Sequence, residues 1–335
     1  MNRSLLPESA LCQNAASPLP CKPTFFTAIV TPLREDDTLD EAVLERLIGD
    51  QFDAGIDGLL IAGSMGMMQQ LTDQTYRRLV TRALEYGKGR GELLVGAGDT
   101  SLARTLERIA FLNTLPVDGV VVLAPYIWGF DQDELRDYYR ALAGAACAPL
   151  FLYDLPQTTH SKIELETALQ LAEHPNIAGI KCSDEPSYAR QLRDLAPAGF
   201  RVILAAPLLI DAFLRQGLLE HLDGIYCLCP RQIVALGQAA QAGDWQRVET
   251  IQRGLNGLMR LIRAYPTWHS ISVLLHEVGL PGRFCPHPHR PWNAEQTQAF
   301  LAQEETQAVL RFLHWDDFAL VSGAKMTAEA ASGLS

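Results

Sequence analysis

The stretch "PLFLYDLPQTTHSKIELETALQLAEHPNIAGIK", residues 149–181, spells out one structural unit of the chain. Apolar runs at 149–153 and 177–181 have the length and bulk of buried β-strands, and the segment between them reads as a helix. Strands joined by such a crossover run parallel. The second run ends on Lys181, an amine placed directly behind apolar residues where a strand would bury it. Lys22, Lys88, Lys162 and Lys325 all fall in loop-like, helix-start or tail contexts, so Lys181 is the exception.

The same unit recurs along the chain. Strand-like runs stand at 25–30, 57–62, 92–97, 118–124, 149–153, 177–181, 201–206 and 223–228. Amphipathic stretches such as "DEAVLERLIGDQFDAG" and "DQDELRDYYRALAGA" separate them, with Asp, Thr or Ser near their starts as caps and Gly near several ends. Strands at this spacing, each followed by a helix, predict an α/β fold, a closed TIM (β/α)8 barrel. A doubly wound open sheet is the alternative, but "TPLREDD" follows the first strand where a glycine-rich dinucleotide fingerprint would stand. Past residue 230 the pattern is helical only. The expected organisation is a flexible arm at 1–22, the barrel at 23–243, a helical C-terminal extension at 244–315 and a flexible tail at 316–335.

Composition narrows the function. Nearly half of the residues are apolar (48%) and 20% are charged, the balance of a globular chain with a sizeable core. A formal net charge of −11 repels phosphate backbones and anionic lipid, which excludes nucleic acid and membrane surfaces as expected partners and favours a small molecule. No apolar run is long enough to span a bilayer, and the first residues lack the apolar core of a signal peptide, so a cytoplasmic location is expected. Seven irregularly spaced cysteines argue for reduced thiols rather than a disulfide framework.

In such a barrel the chemistry sits at the C-terminal ends of the strands. Side-chain alternation puts Ile177, Gly179 and Lys181 on one face and Phe151 with Tyr153 on another. Adjacent strands are about 5 Å apart, so Lys181 and Tyr153 can meet if both faces point inward. A low-dielectric barrel mouth disfavours the ammonium form and frees the lone pair of the lysine for attack on a carbonyl. The resulting iminium is an electron sink for making or breaking the neighbouring carbon–carbon bond or for eliminating water, and Tyr153 is placed to carry the proton. The alternative is a lysine that snorkels to the rim beside a tyrosine that only packs.

The segment from Tyr153 to Lys181 resembles the Schiff-base signature of the dihydrodipicolinate synthase and N-acetylneuraminate lyase family. It carries Tyr153, Asp154, Pro156 and Thr159 and ends small–apolar–Lys. The likeness extends from "FFTAIVTPL" to "HRPWN", with "GSMG" at 63–66 where the family has a Gly-Thr-Thr-Gly-Glu or Gly-Ser-Thr-Gly-Glu loop. The resemblance implies a TIM barrel with helical extension, Lys181 as Schiff-base former, Tyr153 as proton-transfer residue, a homo-oligomer (dimer or tetramer) and no metal or organic cofactor beyond the covalent imine.

The sequence also departs from that pattern. Gly63, Ser64 and Gly66 are kept, but Met65 replaces the second hydroxyl residue and Met67 the glutamate. Tyr126 is followed by Ile127 where many members have a second tyrosine, and Thr158 stands where dihydrodipicolinate synthases have a substrate-binding arginine. Strand 7 ends in "AAPLL", and Tyr226, Cys227 and Cys229 are offered by strand 8. These exchanges make the pocket more apolar. A buried polar group without a partner costs about 1 to 3 kcal/mol, so sugar acids and aspartate semialdehyde fit poorly. The expected substrate is a 2-oxo acid or related ketone with an apolar or aromatic arm, with Gly63, Ser64, Met65, Tyr126, Ile127, Thr158 and Tyr226 as its binding residues.

Two rival readings stand beside this one. Cys285, His287 and His289 alternate in "CPHPHRPWN", and together with Cys227 and Cys229 they raise a metal-dependent lyase. A barrel that has lost catalysis and serves as a binding or regulatory protein is the other, motivated by Met65 and Ile127.

Overall fold

The computed structural model describes residues 22–315; the expected N-terminal arm, apart from Lys22, and the expected tail lie outside the described residues. Eight parallel strands close into a barrel in chain order, β1 to β8, with β8 hydrogen-bonded back to β1. They are β1 (Thr24–Ala28), β2 (Gly58–Ile61), β3 (Glu92–Gly96), β4 (Gly119–Leu123), β5 (Leu150–Asp154), β6 (Ile177–Cys182), β7 (Arg201–Leu204) and β8 (Glu220–Asp223). Between them run α1 (Glu41–Asp53), α2 (Asp73–Gly87), α3 (Leu102–Leu112), α4 (Gln132–Ala145), the short α5 (Pro156–Thr159), α6 (Leu165–Ala172), α7 (Pro186–Leu195) and α8 (Ile210–Arg215). After the barrel come α9 (Pro230–Gln241), α10 (Trp245–Ala264), α11 (Thr267–Glu277), α12 (Ala294–Leu301) and α13 (Glu304–Leu313).

The expected caps are present. Asp40, Thr72, Ser101 and Asp131 each accept an amide in the first turn of α1 to α4, and Asp131 with Glu134 forms a reciprocal capping box. The extension is stitched to the barrel helices by Gln232 on α9, whose amide donates to the carbonyls of Phe312 (2.8 Å) and Leu313 (2.9 Å) at the end of α13. Gly254 of α10 lets the Phe312 ring approach: a Cβ there would sit 2.3 Å from it.

The last strand differs from expectation. The apolar run "GIYCL" is not the strand; "EHLD" is, and residues 225–227 form a 3-10 turn beyond it. A strand containing Glu and His is buried because the barrel neutralises both. Glu220 points to the axis, where Arg201 meets it at 2.6 Å, and Arg201 also reaches Glu92 at 2.6 Å. The guanidinium lies over the Phe26 and Phe151 rings, and Gly58 and Gly119 leave room for those rings. This floor closes the N-terminal end of the barrel.

His221 faces outward, fully buried, stacked on Phe25 with ring centroids 5.6 Å apart. Burial pushes its pKa down from 6.5 to about 4, against a partial pull upward from the Leu218 carbonyl. The unfolded chain therefore binds a proton that the folded chain refuses. Stability falls as pH drops from about 6.5 towards 4, by roughly 3 kcal/mol at ~1.4 kcal/mol per unit. Urea unfolding across this range should show that acid slope, and His221→Gln should flatten it; equal slopes would assign the acid loss elsewhere.

Candidate active site

Lys181 is the fifth residue of β6 and Tyr153 the fourth of β5, and the parallel register places them directly opposite one another. Both side chains are 4% exposed, so the amine is shielded rather than snorkelled to the rim. Its Nζ lies over the face of the Tyr153 ring, 3.8 Å from the centroid. The row expected on β6 breaks at its first member. The β5–β6 register slips between Leu150 and Phe151, so Ile177 stands opposite Leu150, while Gly179 faces Phe151. Gly179 itself is required by crowding, since a Cβ there would meet the Arg201 carbonyl at 2.4 Å.

The phenol of Tyr153 has a partner on another strand loop. Ser64 Oγ lies 3.0 Å from Tyr153 Oη, across from the end of β2. Met65 therefore does not leave the tyrosine without a hydroxyl: the first residue of the pair supplies it. The loop is anchored from the segment after β1, where the buried Thr31 hydroxyl donates to the Gly66 carbonyl at 2.6 Å. Met65 leans across the mouth to β8. A Cβ on Gly224 would sit 2.1 Å from Met65 Cγ, so the methionine fills the room that a side chain at 224 would need. Met67 and Met68 are buried and pack inside the same loop.

Other expected site residues are distributed unevenly. Gly63 is buried in the same loop, and its carbonyl accepts from Met68 at 3.4 Å. Tyr126 is half-buried; burial and the charge of Asp99 raise its pKa, while Arg108 and Arg104 pull it down. Ile127 and Trp128 are exposed on the rim, at 62% and 75%. Thr158 is exposed on α5. Tyr226 is corrected: it lies away from the mouth, fully buried and edge-on to Phe25 in the layer between β1 and α9, because residues 225–227 turn off the strand.

One residue escaped the sequence reading. Asp223, at the end of β8, lies within electrostatic range of Lys181 and Arg263; burial raises its carboxyl pKa, the amide of Ile225 lowers it, and so does the charge of Lys181. Its Oδ1 accepts from Ile225 N at 3.1 Å. The signal was its place at a strand end, hidden by the misplacement of β8. Cys182 points away from the axis, as alternation requires, and burial pushes its thiol pKa up. Cys227 and Cys229 are buried, and Cys285 with them, whereas the ring of His287 is held by Asp37 at 3.0 Å. Among the described residues no three His, Cys, Asp or Glu side chains converge as metal ligands.

Backbone strain marks the same end of the barrel. Among the described residues, the non-glycine positions with positive φ are Asp37, Ala62, Met67, Ile127 and His160. All lie in loops that follow β1, β2, β4 or β5 at their C-terminal ends. A β-branched residue such as Ile127, with φ of 91°, holds that conformation only where the surroundings impose it.

Comparisons with known proteins agree with this geometry. The model of the dihydrodipicolinate synthetase family matches residues 23–306. A 4-hydroxy-tetrahydrodipicolinate synthase of Exiguobacterium sibiricum is 30% identical over 258 residues, covering 76% of this chain and 87% of its own. Its counterpart from Acidiphilium cryptum is 30% identical over 280 residues, covering 82% and 94%. Among solved structures, the 4-hydroxy-tetrahydrodipicolinate synthase of Methylacidiphilum fumariolicum superimposes with a TM-score of 0.78 at 25% identity, covering 87% of this chain and 98% of its own. A prophage protein from E. coli K12, solved in complex with pyruvate, gives 0.79 at 22% identity over 87% and 98%, a likeness of fold.

Proposed function

Because the chain belongs to the dihydrodipicolinate synthetase family, whose members are lyases, we propose that it is a Schiff-base-forming lyase with Lys181 as the nucleophile. The observation that carries this reading is the buried amine over the Tyr153 ring, with the Tyr153 phenol hydrogen-bonded to Ser64. The lone pair of Lys181 attacks the carbonyl carbon of a 2-oxo acid or related ketone, and loss of water leaves an iminium. That cation accepts the electron pair when the neighbouring carbon–carbon bond breaks, or loses a proton from the adjacent carbon to give the enamine that forms one; where the iminium is conjugated with an alkene, water adds to the far alkene carbon. Tyr153 carries the proton, with Ser64 holding its hydroxyl in place. Gly63, Ser64 and Met65 form the wall of the 2-oxo acid subsite.

The second substrate compartment has Met65 over Gly224 on one side and Ile127 with Trp128 on the rim. This supports an apolar or aromatic arm rather than a polyhydroxylated chain or aspartate semialdehyde, for which Thr158 offers no cation. The relatives named above are 4-hydroxy-tetrahydrodipicolinate synthases; the reaction proposed here is aldol cleavage, aldol addition, hydration or dehydration on a different partner. Asp223 adds one polar group to this compartment, a place for a hydroxyl or ammonium on the arm. The consecutive Ile127 and Trp128, both exposed, are apolar side chains on the rim that support self-association into a dimer or tetramer. No described helix is long and apolar enough to cross a membrane.

Reductive trapping tests the reading. Borohydride added with pyruvate or a panel of longer 2-oxo acids should leave a stable mass increment on Lys181, read by peptide mass spectrometry, and none in Lys181→Ala. A wild-type chain that gives no adduct with any of them is a binding protein instead.

A further inference from the structure

Lys162 takes no part in the proposed chemistry, yet its ammonium is shared between two carboxylates that follow the two reactive residues. It meets Asp154 Oδ2 at 2.5 Å and Asp184 Oδ2 at 2.9 Å, and lies over the Tyr188 ring, 3.7 Å from its centroid. Asp154 is the residue after Tyr153, with a side chain wholly buried, and Asp184 comes three residues after Lys181. The second oxygen of Asp154 accepts from Ile163 N at 3.1 Å, and Gln157 on α5 donates to Asp184 at 2.9 Å. On its other edge the same turn is tied to the loop after β4, where Phe130 N donates to Ser161 Oγ at 2.9 Å. Residues 155–161 are thus a rim segment clamped on both sides, and the clamp toward β6 closes on Asp184 through the Lys162 ammonium and the Gln157 amide.

From this arrangement, and resting on the Schiff-base reading above, we infer that Lys162 is a positioning residue that fixes the 155–161 turn on the rim and so sets the affinity for the part of the substrate beyond its reacting carbonyl. The tertiary location explains why a single residue serves both strands. Backbone pairing, including Ser183 N to the Asp154 carbonyl at 3.0 Å, already holds Tyr153 beside Lys181 without it. Loss of Lys162 therefore loosens the turn and leaves the reactive pair in register. A group that merely supported the fold would weaken binding of short and long substrates alike.

The test compares half-saturating concentrations for borohydride trapping with pyruvate, which has no arm, and with 2-oxo-4-phenylbutanoate, which has one. In Lys162→Met the longer acid should need about tenfold more for half-saturation, pyruvate should change less than twofold, and the maximal trapping rate should hold. Lys162→Arg should restore much of the difference. Should Lys162→Met fail to fold, Asp184→Asn cuts only the β6 arm of the clamp and should give the same split. Equal effects on both acids, or none on either, overturn the inference while the Schiff-base reading stands. If the wild-type chain traps neither acid, the Schiff-base reading falls and takes this inference with it.

Discussion

Tyr153→Phe should lower turnover about 10²- to 10⁴-fold, the usual cost of removing a positioned proton carrier, while the borohydride adduct on Lys181 still forms at saturating 2-oxo acid. The substitution keeps the ring beneath the amine, so the 3.8 Å contact between Nζ and the ring is retained. It removes the hydroxyl that lies 3.0 Å from Ser64. The loss is then one of proton transfer rather than of imine formation, and Ser64→Ala should reproduce a smaller part of it. Turnover within threefold of wild type in Tyr153→Phe would transfer the proton-carrying role to another group, for which Asp223, an acid in electrostatic range of Lys181, is the candidate.

Arg201→Met should destabilise the fold by about 3 to 5 kcal/mol in urea unfolding, because it leaves a buried carboxylate without its counter-charge. Arg201 and Glu220 have side chains only 8% and 5% exposed, and the guanidinium satisfies Glu220 through both Nε (2.8 Å) and Nη2 (2.6 Å). Burial alone would lower the pKa of Arg201, but the two glutamates raise it; burial raises that of Glu220, and Arg201 pulls it back. The origin of the effect is separable from simple loss of packing. In Arg201→Met with Glu220→Leu the uncompensated charge is gone, and much of the stability should return. A single variant as stable as wild type would show that the floor of the barrel admits water.

The architecture was legible in the chain because each strand–helix unit carries its own signal. Buried parallel strands demand continuous apolar runs such as "DGVVVLA", and the helices between them carry caps and one apolar face. Lys181 stood out by the same logic, as a charge where the pattern calls for none, and period-2 alternation let it meet Tyr153 provided both faces point inward. The failures came where burial was achieved by charge compensation. "EHLD" looks like a loop until Arg201, from β7, is known to meet Glu220 across the interior, and no local pattern reports that contact. The error moved β8 by three residues, cost the site Asp223, and lent it Tyr226.

Sequence alone determined the (β/α)8 order and singled out the lysine and the tyrosine able to face it, since strand periodicity is a property of consecutive residues. Tertiary structure alone decided which hydroxyl serves that tyrosine, where Met65 lodges, and how Lys162 joins the two strand ends. Those contacts link residues 30 to 159 positions apart, namely Ser64 with Tyr153, Met65 with Gly224, and Asp154 with Asp184 through Lys162. Their partners are chosen by barrel closure, which brings distant loops to one rim, and a linear pattern holds no record of that choice.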